Sequence, residues 1–119
     1  MNEKRSTDGS TVLVLDSATL GRGDDKLGAQ LMENYLRALA FRDEIPDVIV
    51  CYNSGATLVA EDSPVQPSLE VFAQKGVDII VCRTCLGYYN LMDRIAVGRV
   101  GDMQMITEAI SRATRLIYV

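Results

Sequence analysis

Short apolar runs alternate along this chain with longer amphipathic stretches. The runs at 11–16, 48–52 and 77–81 are rich in β-branched residues and too short for buried helices, so they predict strands covered on both faces. Shorter runs predict a fourth strand at 97–100 and a fifth at 116–119. The pattern therefore predicts five strands separated by helical segments.

The segments between the strands carry three helix signals. The first helix is predicted from apolar residues at spacings of four, which we expect to form its buried stripe: Leu27, Leu31, Tyr35 and Leu39. Ser63 followed by Pro64 predicts the start of a second helix over 64–75, and Gly76 predicts its end. Asp102 is expected to cap a third helix, whose apolar stripe consists of Met103, Ile106 and Ile110.

This alternation of strands and helices predicts the fold class. Strands joined through helices of ten or more residues need crossover connections, which place neighbouring strands parallel. The expected fold is therefore α/β, a three-layer α/β/α sandwich with a parallel sheet. We expect residues 1–10 to be a disordered polar N-terminus and residues 11–119 to form one domain. Ligands of such sheets bind beyond the carboxyl ends of the strands, where three sets of residues fall: Asp16-Ser17, Asn53-Ser54-Gly55 and Cys82-Arg83-Thr84-Cys85.

The composition excludes several classes of protein. The chain has 119 residues, of which 48% are hydrophobic and 24% charged, which is typical of a soluble globular domain. Its net charge of −4 argues against nucleic acid or an anionic membrane as the main partner. No apolar run is long enough to span a bilayer, and residues 1–10 lack the apolar segment of a signal peptide. We therefore expect a cytoplasmic location.

The absence of histidine narrows the chemistry further. It removes Ser-His-Asp and Cys-His catalytic pairs together with histidine metal ligands. A zinc site needs four ligands, and since Cys51 falls in the middle of a strand, the chain offers only Cys82 and Cys85. Carboxylates or a second subunit would have to complete such a site. We therefore expect no metal and no cofactor.

The sequence Cys82-Arg83-Thr84-Cys85 is the main candidate site. Two thiols separated by two residues at the end of a strand are able to reach each other, and a following helix N-terminus and Arg83 would lower the thiol pKa. A thiolate is the nucleophile that attacks disulfides or accepts sulfane sulfur. The alternative is a pair of packed cysteines without chemistry, since free cysteine is commonly buried. A thioredoxin-like site is disfavoured because the pair follows the third strand rather than the first.

A glycine-containing loop follows the first strand. Gly21, Gly23 and Gly28 depart from the spacing of the dinucleotide fingerprint, and the loop lacks the P-loop lysine. Asp24 and Asp25 stand where a phosphate would lie. We therefore favour a glycine turn before an acidic helix start over phosphate binding.

Other polar and aromatic residues leave alternatives open. The segment 53–55 either holds an anion or persulfide with its amide and hydroxyl groups or forms an ordinary turn. Tyr88 and Tyr89 either line a cleft or a subunit contact, or pack in the interior, with packing favoured. Met103 and Met105 are expected in the core and at its edge. Cys51 is expected to act as a small buried hydrophobe.

Six short motifs together resemble one known family. They are Val14-Leu15-Asp16-Ser17, Gly21-Arg22-Gly23-Asp24, Leu27-Gly28, Tyr52-Asn53-Ser54-Gly55, Ser63-Pro64 and Val81-Cys82-Arg83-Thr84-Cys85-Leu86. The combination, spread from residue 11 to the C-terminus, is similar to the DsrE/DsrF-like domain of YedF-type proteins. The resemblance implies a five-stranded parallel α/β/α fold and a role in sulfur relay or in sulfurtransferase-like selenium metabolism. It also implies a homo-oligomer between dimer and hexamer, with trimer-based assembly favoured.

The resemblance also assigns roles to individual residues. Cys82 stands where DsrE-type carriers hold their sulfur-accepting cysteine, and Cys85 matches the second cysteine of the YedF-like branch. Arg83 replaces the glycine that is usual between them. Full-length YedF-like proteins carry a preceding TusA-like domain with a Cys-Pro-x-Pro motif, which this sequence does not contain. The chain is therefore expected to be either a stand-alone version or a fragment, and a TusA-like carrier is an expected partner.

The functional prediction is a persulfide carrier, or sulfurtransferase-like protein, in which Cys82 accepts sulfane sulfur and Cys85 resolves the persulfide. Substrate binding or tuning is predicted for nine residues near the strand ends: Arg83, Thr84, Asn53, Ser54, Gly55, Asp16, Ser17, Gly21 and Gly23. One alternative is a dithiol-disulfide redox protein that cycles the two cysteines. The other is a non-catalytic oligomeric binding or regulatory module with packed cysteines.

Overall fold

The computed structural model describes residues 10–119 of the chain. Within this range there are five strands, with the bounds β1 Ser10–Leu15, β2 Val48–Cys51, β3 Asp78–Cys82, β4 Arg99–Gly101 and β5 Ala113–Tyr118. The same range contains four α-helices: α1 Asp25–Ala40, α2 Gln66–Gln74, α3 Arg83–Tyr88 and α4 Met103–Arg112. A 3₁₀ helix, Asn53–Val59, follows β2. Of the polar N-terminus predicted at 1–10, Ser10 opens β1 and the remainder lies outside the described residues.

The five strands form one parallel sheet in the order β4-β3-β2-β1-β5. In register, Leu15 of β1 lies beside Cys51 of β2, and Cys51 lies beside Val81 of β3. The carboxyl ends of three neighbouring strands therefore meet at one edge of the sheet. The α/β fold with a five-stranded parallel sheet flanked by helices, predicted from the sequence, is confirmed.

Helices cover both faces of the sheet, but unequally. On one face α1 and α2 contribute Met32, Leu36, Leu69 and Phe72 to the larger core. On the other face Ile106 of α4 packs against residues of the central strands, which include Val12, Val14, Val50 and Ile80. The central strands are therefore buried on both sides, which explains why their sequences are continuous apolar runs. No helix within residues 10–119 is long and apolar enough to cross a membrane.

The predicted buried stripe of α1 is wrong by one position. The fully buried residues are Gly28, Met32, Leu36 and Ala40. Leu27 is 54% exposed, Leu31 is also exposed, and Tyr35 and Leu39 lie partly buried beside the core. Two stripes with the same period run side by side, and the buried one is hard to recognise because it includes Gly28 and Ala40. A Cβ at position 28 would lie 2.7 Å from Thr19 Cβ, so the close approach of the β1–α1 loop requires glycine there.

The predicted start of α2 is also wrong. The Ser63 hydroxyl accepts a hydrogen bond from the Val65 N–H, and the Ser63 carbonyl accepts one from the Gln66 N–H. These bonds close a turn that contains Pro64, and the helix begins only at Gln66. Gly76, with φ +92°, follows the helix and confirms its predicted end.

The second half of the domain follows the prediction with shifted bounds. Strand β4 begins at Arg99 instead of residue 97, and β5 begins at Ala113 instead of residue 116. Asp102 caps α4 as predicted, because its carboxylate accepts a hydrogen bond from the Met105 N–H at 2.9 Å. Ile106 is buried as predicted. Met103 is 54% exposed and lies outside the core, contrary to the prediction.

Candidate functional site

The two cysteines of the CxxC sequence lie on different elements. Cys82 is the last residue of β3, pairs with Gly101 of β4 and is 3% exposed. Cys85 lies in the first turn of α3 and is half-buried. The Cys85 thiol lies close enough to the Cys82 thiol for Cys82 to influence its ionisation. The sheet thus places one thiol beneath the surface, and the short helix places the other above it.

A backbone N–H from the neighbouring strand end points at the outer thiol. The N–H of Asn53 donates a hydrogen bond to Cys85 Sγ, with an N···S distance of 3.0 Å. Asn53 has φ +53°, a left-handed conformation that asparagine tolerates better than most residues. This conformation occurs where β2 passes into the 3₁₀ helix, so the turn itself supplies the sulfur with a donor.

The ionisation of Cys85 differs from the sequence-based expectation. Burial is the main factor that raises the pKa of the Cys85 thiol, and the neighbouring Cys82 thiol raises it further. The Asn53 N–H acts in the opposite direction because it stabilises the thiolate. Arg83 is exposed and is not among the groups that shift this pKa. The lowered thiol pKa expected for the CxxC pair is therefore not found at Cys85, where burial and the second thiol outweigh the single N–H.

A cavity of about 450 Å³, which we call the thiol cleft, opens over Cys85. Its lining residues come from the end of β2, from α3 and from the start of α4: Tyr52, Asn53, Thr84, Cys85, Tyr88, Tyr89 and Met103. Among the described residues that line the cleft, none has a charged side chain. The rings of Tyr88 and Tyr89 meet edge to face, with centroids 5.0 Å apart. The sulfur of Cys85 thus lies in a largely aromatic cleft.

Two of the predicted site residues hold the cleft in place instead of lining it. The Ser54 hydroxyl accepts a hydrogen bond from the Ala18 N–H at 3.0 Å. Gly55 is buried so closely against β1 that a Cβ there would lie 2.0 Å from the Leu15 carbonyl oxygen. These contacts fasten the start of the 3₁₀ helix, and with it Asn53, to the end of β1.

Four of the other predicted residues line a second cavity of about 470 Å³, which we call the loop pocket, whereas Arg83 lines neither cavity. The loop pocket lies at the carboxyl ends of β1 and β5 and is lined by Asp16, Ser17, Thr19, Gly21, Arg22, Gly23, Asp25, Tyr118 and Val119. The structure therefore separates the predicted residues into two groups. Asn53, Thr84 and Cys85 line the thiol cleft, whereas Asp16, Ser17, Gly21 and Gly23 line the loop pocket.

Tyr52 stands between the two cavities. It lines the thiol cleft, and its phenol interacts electrostatically with Tyr118 and Asp16, which line the loop pocket. Burial is the main cause that raises the pKa of Tyr52, followed by Tyr118 and then Asp16. Tyr52 is not among the residues predicted for the site, although it directly follows β2 as Asp16 follows β1 and Arg83 follows β3. Met103 was missed because only the folded chain brings α4 beside α3.

The third cysteine takes no part in the site. Cys51 is fully buried in the larger core, on the face of the sheet opposite to Cys82, as expected for a small hydrophobe. Complete burial raises the pKa of its thiol to about 12. Within residues 10–119 no group of three or more cysteine, aspartate or glutamate side chains is arranged to hold a metal ion.

Comparison with known proteins gives structural neighbours only. No protein-family profile matches the chain, and no curated protein matches it by sequence. Three solved structures are similar over most of their length. The protein MTH1491 of unknown function from Methanobacterium thermoautotrophicum has a TM-score of 0.65 and 18% identity, covering 92% of this chain and 97% of its own. The conserved protein BT1422 of unknown function from Bacteroides thetaiotaomicron has a TM-score of 0.63 and 18% identity, covering 96% and 97%.

The third neighbour is the ychN protein from E. coli, with a TM-score of 0.62, 15% identity, and coverage of 93% of this chain and 99% of its own. At these identities the likeness concerns the fold alone. The arrangement of a five-stranded parallel sheet and flanking helices that this chain shares with these proteins is the DsrE/DsrF-like fold.

Proposed function

We propose that the protein is a persulfide carrier in a sulfur relay, and that Cys85 is the thiol that accepts sulfur. The observation that carries the proposal is the setting of Cys85, which lies half-buried in the thiol cleft with the Asn53 N–H directed at its sulfur. A persulfide needs such a setting, because the site must admit a donor and yet shield the product from solvent.

The loading step is a displacement at sulfur. The Cys85 thiolate attacks the outer sulfur of a donor persulfide, R–S–SH, and a new S–S bond forms as the donor S–S bond breaks. The donor leaves as the thiolate R–S⁻, and the proton stays on the transferred sulfur, so the product is Cys85–S–SH. An acceptor thiolate takes the outer sulfur in the same way and regenerates the Cys85 thiolate. No external oxidant or reductant is needed for this cycle.

Cys82 allows the Cys85 persulfide to be converted to a disulfide instead of passing its sulfur to an acceptor. Its thiolate, once formed, is placed to attack the inner sulfur of Cys85–S–SH, which releases HS⁻ and leaves a Cys82–Cys85 disulfide. Two thiol equivalents are then needed to reduce that disulfide. This reverses the order of attack expected from the resemblance, in which Cys82 accepts sulfur and Cys85 resolves. The burial of Cys82 beneath Cys85 favours the reversed order, because a donor reaches the outer thiol first.

The wider assignment is part of the same proposal. The motifs shared with DsrE/DsrF-like domains of the YedF type support placement in that family and a cytoplasmic role in sulfur or selenium relay. They also support a trimer-based homo-oligomer and a TusA-like carrier as partner. Sedimentation equilibrium tests the oligomer, and sulfur transfer to a purified TusA-like protein tests the partner.

The loading experiment uses intact mass spectrometry on the reduced protein after incubation with glutathione persulfide. We expect a gain of about 32 Da, the mass of one sulfur atom, in the wild type and in Cys82→Ser, and none in Cys85→Ser. Cys51→Ala is the matched control, because Cys51 is buried on the other face of the sheet, and it should load normally. Loading that persists in Cys85→Ser and is lost in Cys82→Ser would transfer the accepting role to Cys82.

A dithiol-disulfide redox protein is the second candidate, favoured by the proximity of the two thiols. It predicts a loss of about 2 Da on oxidation and reduction of generic disulfides that needs both cysteines. If the wild type shows this behaviour and Cys82→Ser, which lacks the resolving thiol, gains no sulfur from a persulfide donor, the redox function replaces the carrier. Thiols that react with neither donor nor iodoacetamide would instead indicate a binding module.

A further inference from the structure

The proposed function leaves the loop pocket without a role, although it contains charges of both signs. Asp16, Arg22 and Asp25 line it, and none of their side chains forms a hydrogen bond or ion pair with another described residue. Asp24, in contrast, is used by the fold, since its carboxylate caps α1 by accepting from the Leu27 N–H. The pocket therefore presents a guanidinium and two carboxylates that are available to a ligand.

The loop pocket also has a polar wall and a glycine-containing loop. Ser17 and Thr19 lie in its wall with their hydroxyl groups hydrogen-bonded to each other at 3.0 Å. Gly21 and Gly23 form its loop with φ values of +76° and +135°. The Gly21 N–H donates to the Val119 carbonyl, which holds the loop against the end of β5. A ligand with an ammonium group and a carboxylate on one carbon, an α-amino acid group, matches carboxylates and a guanidinium in one cavity.

The loop pocket lies beside the thiol cleft on the same edge of the sheet. The end of β1, with Asp16, is two strands away from the end of β3, with Cys82. At about 4.8 Å for each strand the separation is roughly 10 Å. Tyr52 bridges this distance, since it lines the cleft and interacts with Asp16. A cysteine persulfide is too short to reach both cavities. In a γ-glutamyl tripeptide persulfide the extended γ-glutamyl arm places the α-amino acid group about 10 Å from the outer sulfur of the central cysteine.

We infer that the sulfur donor is a low-molecular-weight persulfide of the γ-glutamyl tripeptide type, which has a terminal α-amino acid group. The donor binds across Tyr52, with its sulfur at Cys85 and its amino acid group between Asp16 and Arg22. This inference rests on the proposed function, because it names the donor for Cys85. The lining of the thiol cleft explains why recognition has to come from the loop pocket. An anionic donor without an amino acid group finds no charged side chain among the described residues that line the cleft around Cys85.

The test measures binding without sulfur transfer. Isothermal titration calorimetry with S-methylglutathione, which cannot transfer sulfur, is performed on the full chain carrying Cys85→Ser. We expect binding that weakens about tenfold in Arg22→Gln and in Asp16→Asn, since each removes a charge-assisted hydrogen bond. N-acetylated S-methylglutathione should bind about tenfold more weakly than S-methylglutathione to the parent Cys85→Ser protein, because it lacks the ammonium group. S-methylcysteine should show the same loss because it cannot span both cavities.

Two control variants remove similar charges elsewhere on the surface. Arg42→Gln and Asp93→Asn change exposed side chains that line neither cavity, and both should bind like the parent. Equal affinity of Arg22→Gln, Asp16→Asn and the parent, equal affinity for the two glutathione derivatives, or no binding at all would overturn the inference. Loading of Cys85 by glutathione persulfide is measured separately, so binding without loading would contradict the proposed function, and loading without binding would contradict only the donor class.

Discussion

The backbone N–H of Asn53 donates a hydrogen bond to the sulfur of Cys85 across 3.0 Å, and Asn53 holds it there from a left-handed backbone conformation. This single bond joins the end of β2 to the first turn of α3. Among the described groups around Cys85, it is the one that lowers the pKa of this thiol. The conformation of one asparagine is therefore coupled to the reactivity of a thiol on another element.

Substitution of Asn53 by valine tests this coupling. A β-branched residue at φ +53° costs about 1–2 kcal/mol of stability, and relaxation of the turn would remove the N–H from the sulfur. We expect Asn53→Val to destabilise the fold by that amount and to slow alkylation of Cys85 by iodoacetamide at pH 8. Asn53→Gly, which accepts a positive φ, should preserve both properties.

Asn90 provides a matched control for this substitution. It also has a left-handed conformation, with φ +58°, but lies outside the thiol cleft. Asn90→Val should therefore lose a similar amount of stability in urea unfolding while Cys85 is alkylated at the normal rate. Equal alkylation rates in Asn53→Val and Asn90→Val would show that the bond to sulfur has no effect on reactivity.

The pH dependence of alkylation tests the influence of Cys82. Because burial and Cys82 raise the pKa of Cys85 above the ordinary thiol value of 9.0, the thiolate fraction and the alkylation rate should still be rising at pH 9. Cys82→Ala removes the second of these causes, so it should move the midpoint of the rate profile to lower pH and speed the reaction at pH 8. Cys51→Ala should leave the Cys85 profile unchanged. A midpoint that does not move in Cys82→Ala would contradict the proximity of the two thiols.

The buried thiol of Cys51 predicts a loss of stability at alkaline pH. Its pKa is raised from 9.0 to about 12 in the folded protein, so above pH 9 the unfolded chain releases this proton while the folded chain keeps it. Below the pKa of Cys51 in the unfolded chain, the buried thiol contributes its full stabilisation. Above that pKa, the free energy of unfolding falls by about 1.4 kcal/mol for each pH unit. Urea unfolding at pH 8, 9 and 10 measures this slope. Cys51→Ala should be less stable at pH 8, but its free energy of unfolding should fall less steeply with pH. Equal slopes in the two proteins would show that Cys51 does not cause the alkaline loss of stability.

Two glycines near the site should respond in opposite ways to a methyl group. Gly55→Ala would press its Cβ against the Leu15 carbonyl, so we expect it to cost more than about 3 kcal/mol or to prevent folding. Gly87 of α3 has no atom within 4 Å of a Cβ, and Gly87→Ala should be neutral or stabilising by up to about 1 kcal/mol. Thermal unfolding compares the two variants. Similar melting temperatures would mean that β1 and the 3₁₀ helix separate easily.

The sequence predicts the strands of this fold better than the details of its helices. Continuous apolar runs identify β1, β2 and β3, because burial on both faces leaves a simple signal. The stripe of α1 was misplaced because Gly28 and Ala40 are selected for close packing and carry little hydrophobic signal. The start of α2 was misplaced because the Ser63 turn uses the same residue types as a helix cap.

The candidate site shows a similar division. The CxxC sequence at the end of β3 identifies the two thiols from local spacing alone. The order in which a donor reaches them depends on burial, which is set by the packing of α3 over β3 and leaves no mark in the spacing. The split between the thiol cleft and the loop pocket depends on strand order, which local patterns do not encode.

The aromatic lining of the thiol cleft gives the protein an intrinsic optical reporter. The chain has no tryptophan and five tyrosines, and three of them, Tyr52, Tyr88 and Tyr89, line the cleft around Cys85. The near-ultraviolet circular dichroism and the fluorescence of the native protein are therefore expected to arise largely beside the sulfur of Cys85. Changes at Cys85 can be followed in real time on the unmodified chain, without a label.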